Sequence, residues 1–274
     1  MDPLAKATLL CAALTALTGA AQRRRPALEA PSTAPAGEAA LSSVCPPRTL
    51  PDGPACVPVP EQSLGGASLE ALENRHLDRH GNWVSYEQIP KRPDRPGSYQ
   101  AYRYPIPVKA EQKFVSSGYD LDLPNESQRR GAQLKAVGHG GVDLAAPRGT
   151  EVRGVALEHQ VGDAEVSFVG ELFGNSVVTR HSVREGGQLR EYLVVHGHLD
   201  GPAPGLARGM NVREGSLLGF VGDSGSPGDV HLHLEVRRVR SGIDAGALAA
   251  RQLVHNAKTV ACDPRNVMPL RDAP

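Results

Sequence analysis

The chain has 274 residues and a mass of 29.0 kDa, room for one ordinary domain with an appendage or for two small domains. Lys+Arg and Asp+Glu each number 30, so the formal charge is zero, and 22% of residues are charged against 40% hydrophobic. That balance excludes a polytopic membrane protein and leaves no global field to hold nucleic acid or an anionic membrane. Aromatics at 4% are too few for an extensive stacking platform, and 30 Gly with 23 Pro point to turns, strands and a linker rather than a helix bundle.

The first predicted element is a leader. Lys6 precedes an apolar run from Ala7 to Ala21, closed by Gly19, Ala20 and Ala21 and followed by Arg23, Arg24 and Arg25. The run is shorter than the roughly 20 residues that span a bilayer, and its layout is that of a secretory signal peptide over residues 1–21. It predicts an exported protein, periplasmic or extracellular, with no membrane span in the mature chain. Leu10 before Cys11 does not fit a lipoprotein signal.

Residues 22–60 are rich in Ala, Pro, Ser and Gly and read as a linker, because such a stretch buries too little apolar surface to offset its chain entropy. Within it Cys45 and Cys56 flank CPPRTLPDGPAC, and an oxidising compartment predicts a disulfide between them. Cys262 has no expected partner. Residues 61–112 form a small mixed region of unassigned role. A helix is expected over 68–80, with Leu69, Leu72 and Leu77 near one face. His76 and His80 sit at i,i+4, but Leu77 stands where an HExxH protease has Glu, so the pair reads as a solvated face. Residues 83–104 read as irregular with a short strand.

From 113 to 274 short Val/Leu/Ile runs alternate with Gly-containing turns, the pattern of an all-β domain. The expected fold is mainly β, a compact antiparallel sheet or sandwich, with one helix near its end over 245–257.

Three segments of this domain carry the chemistry. His139-Gly-Gly-Val-Asp143 holds two metal-ligand types four apart, with glycines expected to let the backbone turn so that both reach one ion. In His231-Leu-His233-Leu-Glu-Val strict alternation puts His231 and His233 on one strand face and the leucines in the core. Val-His196-Gly-His198-Leu repeats the device and is expected to put His196 and His198 on one face. A hydrolytic zinc keeps three protein ligands and one open position.

HGGVDLAAPRGTEV, FGNSVVTRH, HGHLD and GMNVREGSLLGFVGDSGSPGDVHLHLEVR together resemble the lysostaphin-type, or LytM-type, zinc metallopeptidases over about 113–270. The resemblance implies one Zn2+ per chain held by His139, Asp143 and His233. It implies His198 and His231 as catalytic histidines, one a general base and the other an oxyanion partner, without saying which is which. It implies endopeptidase activity on peptide cross-links or stems of bacterial peptidoglycan. The alternative is a non-catalytic LytM-type regulator that binds the wall or activates a cell-wall amidase; that reading goes with a damaged ligand set, and this set is intact. The sequence departs from the family at His196, often Tyr, and at Leu234, usually aromatic. Relatives can be latent through an upstream Asn, and Asn125 is the candidate here.

Overall fold

The computed structural model describes residues 44–60, 74–77, 83–86, 95–109, 113–120 and 138–271. The expected leader, Asn125 and much of the 61–112 region lie outside these described residues.

Two small hairpins come first. Strands β1 (Thr49–Asp52) and β2 (Ala55–Pro58) pair antiparallel, and the expected disulfide joins Cys45 to Cys56 with their Cα atoms 5.4 Å apart. Residues 44–60 are not a free linker. The Cys45 N–H donates to Asp163 Oδ2 at 2.8 Å, Asp163 N–H to the Cys45 carbonyl at 2.6 Å, and Arg48 N–H to the Val161 carbonyl at 3.1 Å. The cross-link removes chain entropy that the Pro/Ala composition alone would not offset. Next, β3 (Asn74–Leu77) pairs antiparallel with β4 (Trp83–Tyr86), where a helix over 68–80 was expected. Trp83, Val84 and Tyr86 are residue types that favour a strand. That pairing outweighs the approximate leucine spacing.

The main sheet is built from β5 (Val115–Ser117), β6 (Gly141–Leu144), β7 (Glu151–Arg153), β8 (Ala164–Leu172), β9 (Gly174–Glu185), β10 (Gln188–Pro202), β11 (Asn211–Val212), β12 (Leu217–Val221), β13 (Leu232–Val239) and β14 (Thr259–Cys262). The path runs β11-β8-β9-β10-β13-β6-β5; β14 also pairs with β13, and β12 links β10 to β7. All these pairings are antiparallel, as expected. Gly186 and Gly187, both at positive φ (55° and 74°), make the tight turn between β9 and β10, a conformation in which L side chains are strained.

One apolar cluster gathers Val142, Leu144, Val166, Val177, Val194, Leu232, Leu234 and Val236 from the central strands with Val152 of β7 and Leu218 and Val221 of β12. It also takes in Tyr102, Tyr104 and Ile106, upstream of the expected domain start at 113. That strap is tied down where Arg103 N–H donates to the Pro269 carbonyl and Arg153 N–H to the Pro105 carbonyl. A second cluster lies on the other sheet face: Val178, Leu193, Val195 and Val239 against Ala245, Leu248 and Leu253. The last three come from the segment expected as one helix. It is instead two 3-10 turns, Ala245–Ala247 and Ala250–Gln252, with Leu248 and Ala249 extended between them. Side-chain capping of Gly246 N–H by Asp244 starts the first turn, and the extended link lets Leu248 and Leu253 both reach the sheet. Among the described residues no helix is long and apolar enough to cross a membrane.

Candidate metal centre

The site grows from two neighbouring strands. In the register of β6 and β13, Asp143 faces His233 directly, so their side chains share one sheet face. His139 stands just before β6, tied by a bridge to Asp120. Any side chain at Gly141 would run into the Leu234 carbonyl, and one at Gly140 into the Glu235 carboxylate. The two glycines therefore serve the close approach of β13, rather than the turn expected from sequence.

His139 Nε2 lies 3.1 Å from Asp143 Oδ1, and His233 Nδ1 lies 2.9 Å from that same oxygen. The two ring nitrogens are 3.3 Å apart. One ligand atom from each of His139, Asp143 and His233 falls within 4.8 Å of the others. The far nitrogens fix the tautomers. His139 Nδ1–H donates to the Gly118 carbonyl at 2.7 Å, which leaves Nε2 with its lone pair inward. His233 Nε2 is 3.4 Å from Glu235 Oε2, which places a proton there and leaves Nδ1 inward. Two imidazole lone pairs and a carboxylate oxygen thus converge with no hydrogen between them, and this donor set fits a zinc ion. A proton can substitute for the cation: against the lowering effect of burial, Asp143 and Glu235 push His233 up to about 9. Burial alone would raise the Asp143 pKa, but the adjacent His139 and His233 rings hold it well below the carboxylate range.

Glu235 was not singled out in the sequence, although period-2 alternation puts it on the face of His231 and His233. It is buried and ion-paired with Arg237, whose Nε and Nη2 donate to Thr259 Oγ1 and Asn256 Oδ1, both at 2.7 Å. Burial opposes its ionisation, but Arg237 and then His233 hold its pKa below the usual value.

His198 and His231 close the other side. Their ring centroids are 4.7 Å apart, and His198 lies 6.0 Å from the His233 ring. His231 Nε2 is 3.7 Å from Asp143 Oδ1. Each donates Nδ1–H to a main-chain carbonyl at 2.8 Å, His198 to Ser224 and His231 to Asp229, so both Nε2 atoms are left for the cleft. Burial holds His198 down at about 4, hence neutral near pH 7.

His196 does not join them. It pairs with Leu234 and shares the core face, where its Nδ1–H donates to the Val177 carbonyl at 3.2 Å. By strict alternation His198 would follow it inward. The β10 register shifts between His196 and Leu199, and His198 takes φ 58°, which turns its ring to the site face. The expected shared face of His196 and His198 is therefore overturned by a bulge.

An antiparallel sheet presenting a His/Asp/His cluster with two further imidazoles is the arrangement of a metallopeptidase domain. Residues 137–245, which contain all five side chains, match the model of Peptidase family M23. Over 101 residues the chain is 39% identical to the DD-carboxypeptidase/endopeptidase Mpg of Neisseria meningitidis serogroup B and to that of Neisseria gonorrhoeae, a match covering 36% of this chain and 20% of each relative. The chain thus spans about a fifth of the length of these curated relatives. Among solved structures it is similar to a zinc-containing peptidase from Vibrio cholerae (21% identity, 65% of this chain, 47% of that one, TM-score 0.36). It is also similar to the catalytic domain of lysostaphin from Staphylococcus simulans (17% identity, 50% and 86% covered, TM-score 0.29).

Proposed function

We propose that this chain is an exported zinc metalloendopeptidase that hydrolyses peptide bonds in bacterial cell-wall peptidoglycan. His139, Asp143 and His233 would hold the ion, and His198 and His231 would be the catalytic histidines. The observation that carries this is the geometry: three ligand atoms converge, and two neighbouring imidazoles place Nδ1 against main-chain carbonyls at 2.8 Å, which leaves both Nε2 atoms for the same cleft. When bound, zinc supplies Lewis acidity, making water acidic near neutral pH and polarising a carbonyl oxygen.

The histidines do the proton work. A neutral Nε2 accepts the proton of the attacking water, and the imidazolium so formed becomes an Nε2–H donor to the oxyanion or the leaving nitrogen. The carbonyls of Ser224 and Asp229 stabilise that charged ring because they already accept its Nδ1–H. The peptidoglycan substrate is supported by the printed name of the Neisseria relatives and by the leader-like start of the sequence.

The test is to measure zinc in the purified protein and to identify by mass spectrometry the fragments it releases from isolated peptidoglycan. One zinc per chain with new peptide ends supports the proposal. Bound zinc with no released fragments, and with stimulation of a wall amidase instead, would establish the regulator reading in its place.

A further inference from the structure

Arg148 lies in the turn between β6 and β7, apart from the five residues of the centre. Its guanidinium spans two carboxylates, Asp200 near the end of β10 and Asp223 at the start of the 223–229 loop. The elements it joins are those that carry the site. Strand β6 bears Asp143, and β10 bears His198 two residues before Asp200. The 223–229 loop supplies both carbonyls, from Ser224 and Asp229, that accept the Nδ1–H of His198 and His231.

Within the loop, Ser226 N–H donates to the Asp223 carbonyl at 2.9 Å and Asp229 N–H to the Ser226 carbonyl at 3.0 Å, and a bridge between Gly222 and His231 closes its ends. Asp223 Oδ2 accepts from Gly228 N–H at 2.9 Å, closing the loop across its base. Ser224 Oγ donates to the Leu199 carbonyl at 2.6 Å and accepts from Asn175 N–H at 2.8 Å. These hold one rim of the loop against β9 and β10. The bonds within 223–229 shape the loop internally; the Asp223 side chain is tied to the neighbouring elements through Arg148. The loop sequence DSGSPGD has little intrinsic preference for one path, so the position of its carbonyls depends on such ties.

We infer that Arg148 is a positioning residue: by pinning Asp223 to Asp200 it places the loop carbonyls that set the ring planes of His198 and His231. The inference deepens the proposed function, because it rests on those two histidines acting in turnover. A guanidinium can engage two carboxylates at once in a fixed plane, which an ammonium cannot. Arg148 and Asp200 are both well exposed, at 48% and 37%, so the pairs contribute little to global stability. The consequence of losing them is local, at the imidazoles, and that separates positioning from general bracing.

The experiment uses the full chain, zinc-loaded and labelled with 15N-histidine. Hydrogen-bonded Nδ1–H protons of His198 and His231 give slowly exchanging resonances, assigned by single replacements. In Arg148→Ala both should exchange about tenfold faster or broaden away, while zinc content and Tm stay at wild-type values. Asp223→Asn keeps an acceptor for Gly228 and loses the ion pair, so it should reproduce the effect; Arg148→Lys should fall between. On isolated peptidoglycan kcat should fall about 10–100-fold with KM little changed. Unaltered Nδ1–H exchange in Arg148→Ala would overturn the inference, and so would a loss of Tm or zinc that accounts for the change. If the wild type releases nothing from peptidoglycan, the functional reading fails, while the exchange measurement still decides the role of Arg148.

Discussion

At His233 both ring nitrogens are committed, Nδ1 inward toward Asp143 and Nε2 outward toward Glu235. Replacing His233 with Ala removes one of three proposed ligands, so the protein should no longer hold stoichiometric zinc by metal analysis; full retention would refute the assignment. Glu235→Gln keeps the shape but loses the charge that fixes the proton on Nε2. Its zinc affinity should drop about 10–100-fold in a chelator competition, with the fold intact by circular dichroism. His198→Ala and His231→Ala should keep their zinc and lose about 10²–10⁴-fold in peptidoglycan hydrolysis; wild-type rates in both would remove them from the mechanism. The pairing of His139 with Asp143 and of His231 with His233 was legible in the sequence, because four-residue spacing and period-2 alternation are local rules, whereas bringing the two segments together came from the family resemblance. Glu235 was equally readable by the same alternation and was passed over. His196 was misread because a bulge depends on the partner strand, and no residue in HGHLD announces the positive φ at His198.

Among the elements, the disulfide hairpin departs furthest from expectation. A chain-entropy estimate for an 11-residue separation gives about 2–3 kcal/mol from the cross-link. The hydrogen bonds from Cys45 and Arg48 to residues 161–163 carry that restraint into the sheet domain. Cys45→Ser/Cys56→Ser protein should therefore melt several degrees lower as one transition. An unchanged Tm would mean that the hairpin is an ornament on an independent domain, as the sequence suggested. The disulfide itself was readable from compartment and spacing. Its docking was not, since it runs through the Asp163 carboxylate and backbone groups of residues more than a hundred positions away. The expected helices over 68–80 and 245–257 give way to tertiary context: residues 74–77 pair with β4, and Leu248 and Leu253 pack on β10.

For the whole molecule the histidines predict a peaked stability profile. His181 and His196 line one buried pocket with Thr179, Leu234 and Met268. Burial, with His196 adding, holds His181 at about 3, and burial holds His196 at about 4, both below the 6.5 of an unfolded chain. Their contribution is complete above pH 6.5 and is lost as pH falls from there, at up to about 1.4 kcal/mol per pH unit for each group. His233 works in the other sense. Its folded pKa is raised to about 9, so its contribution is present below pH 6.5 and is lost as pH rises through about 9. Metal-free protein should melt highest near pH 6.5. Zinc takes the place of the His233 proton, so loading should raise Tm most on the alkaline side. Calorimetry from pH 4.5 to 9, with chelator and with zinc, checks both limbs. A metal-free Tm that keeps climbing above pH 7 would contradict the profile, and His181→Gln should flatten the acid limb. The antiparallel architecture behind this was visible in the short runs and glycine turns. The Tyr102 to Ile106 strap was not, because its burial follows from contacts at the far end of the chain.

The atoms that orient His198 and His231 are main-chain carbonyls, and every amino acid has one. A change of letter at 224 or 229 leaves the orienting oxygen in place so long as the chain keeps its path. Insertion or deletion of a single residue between 223 and 229 displaces both oxygens together. Mutational drift at 226, 227 and 229 should therefore be generous toward substitution while the loop as a whole is intolerant of length, and a library of point and indel variants scored for hydrolysis would display that asymmetry directly.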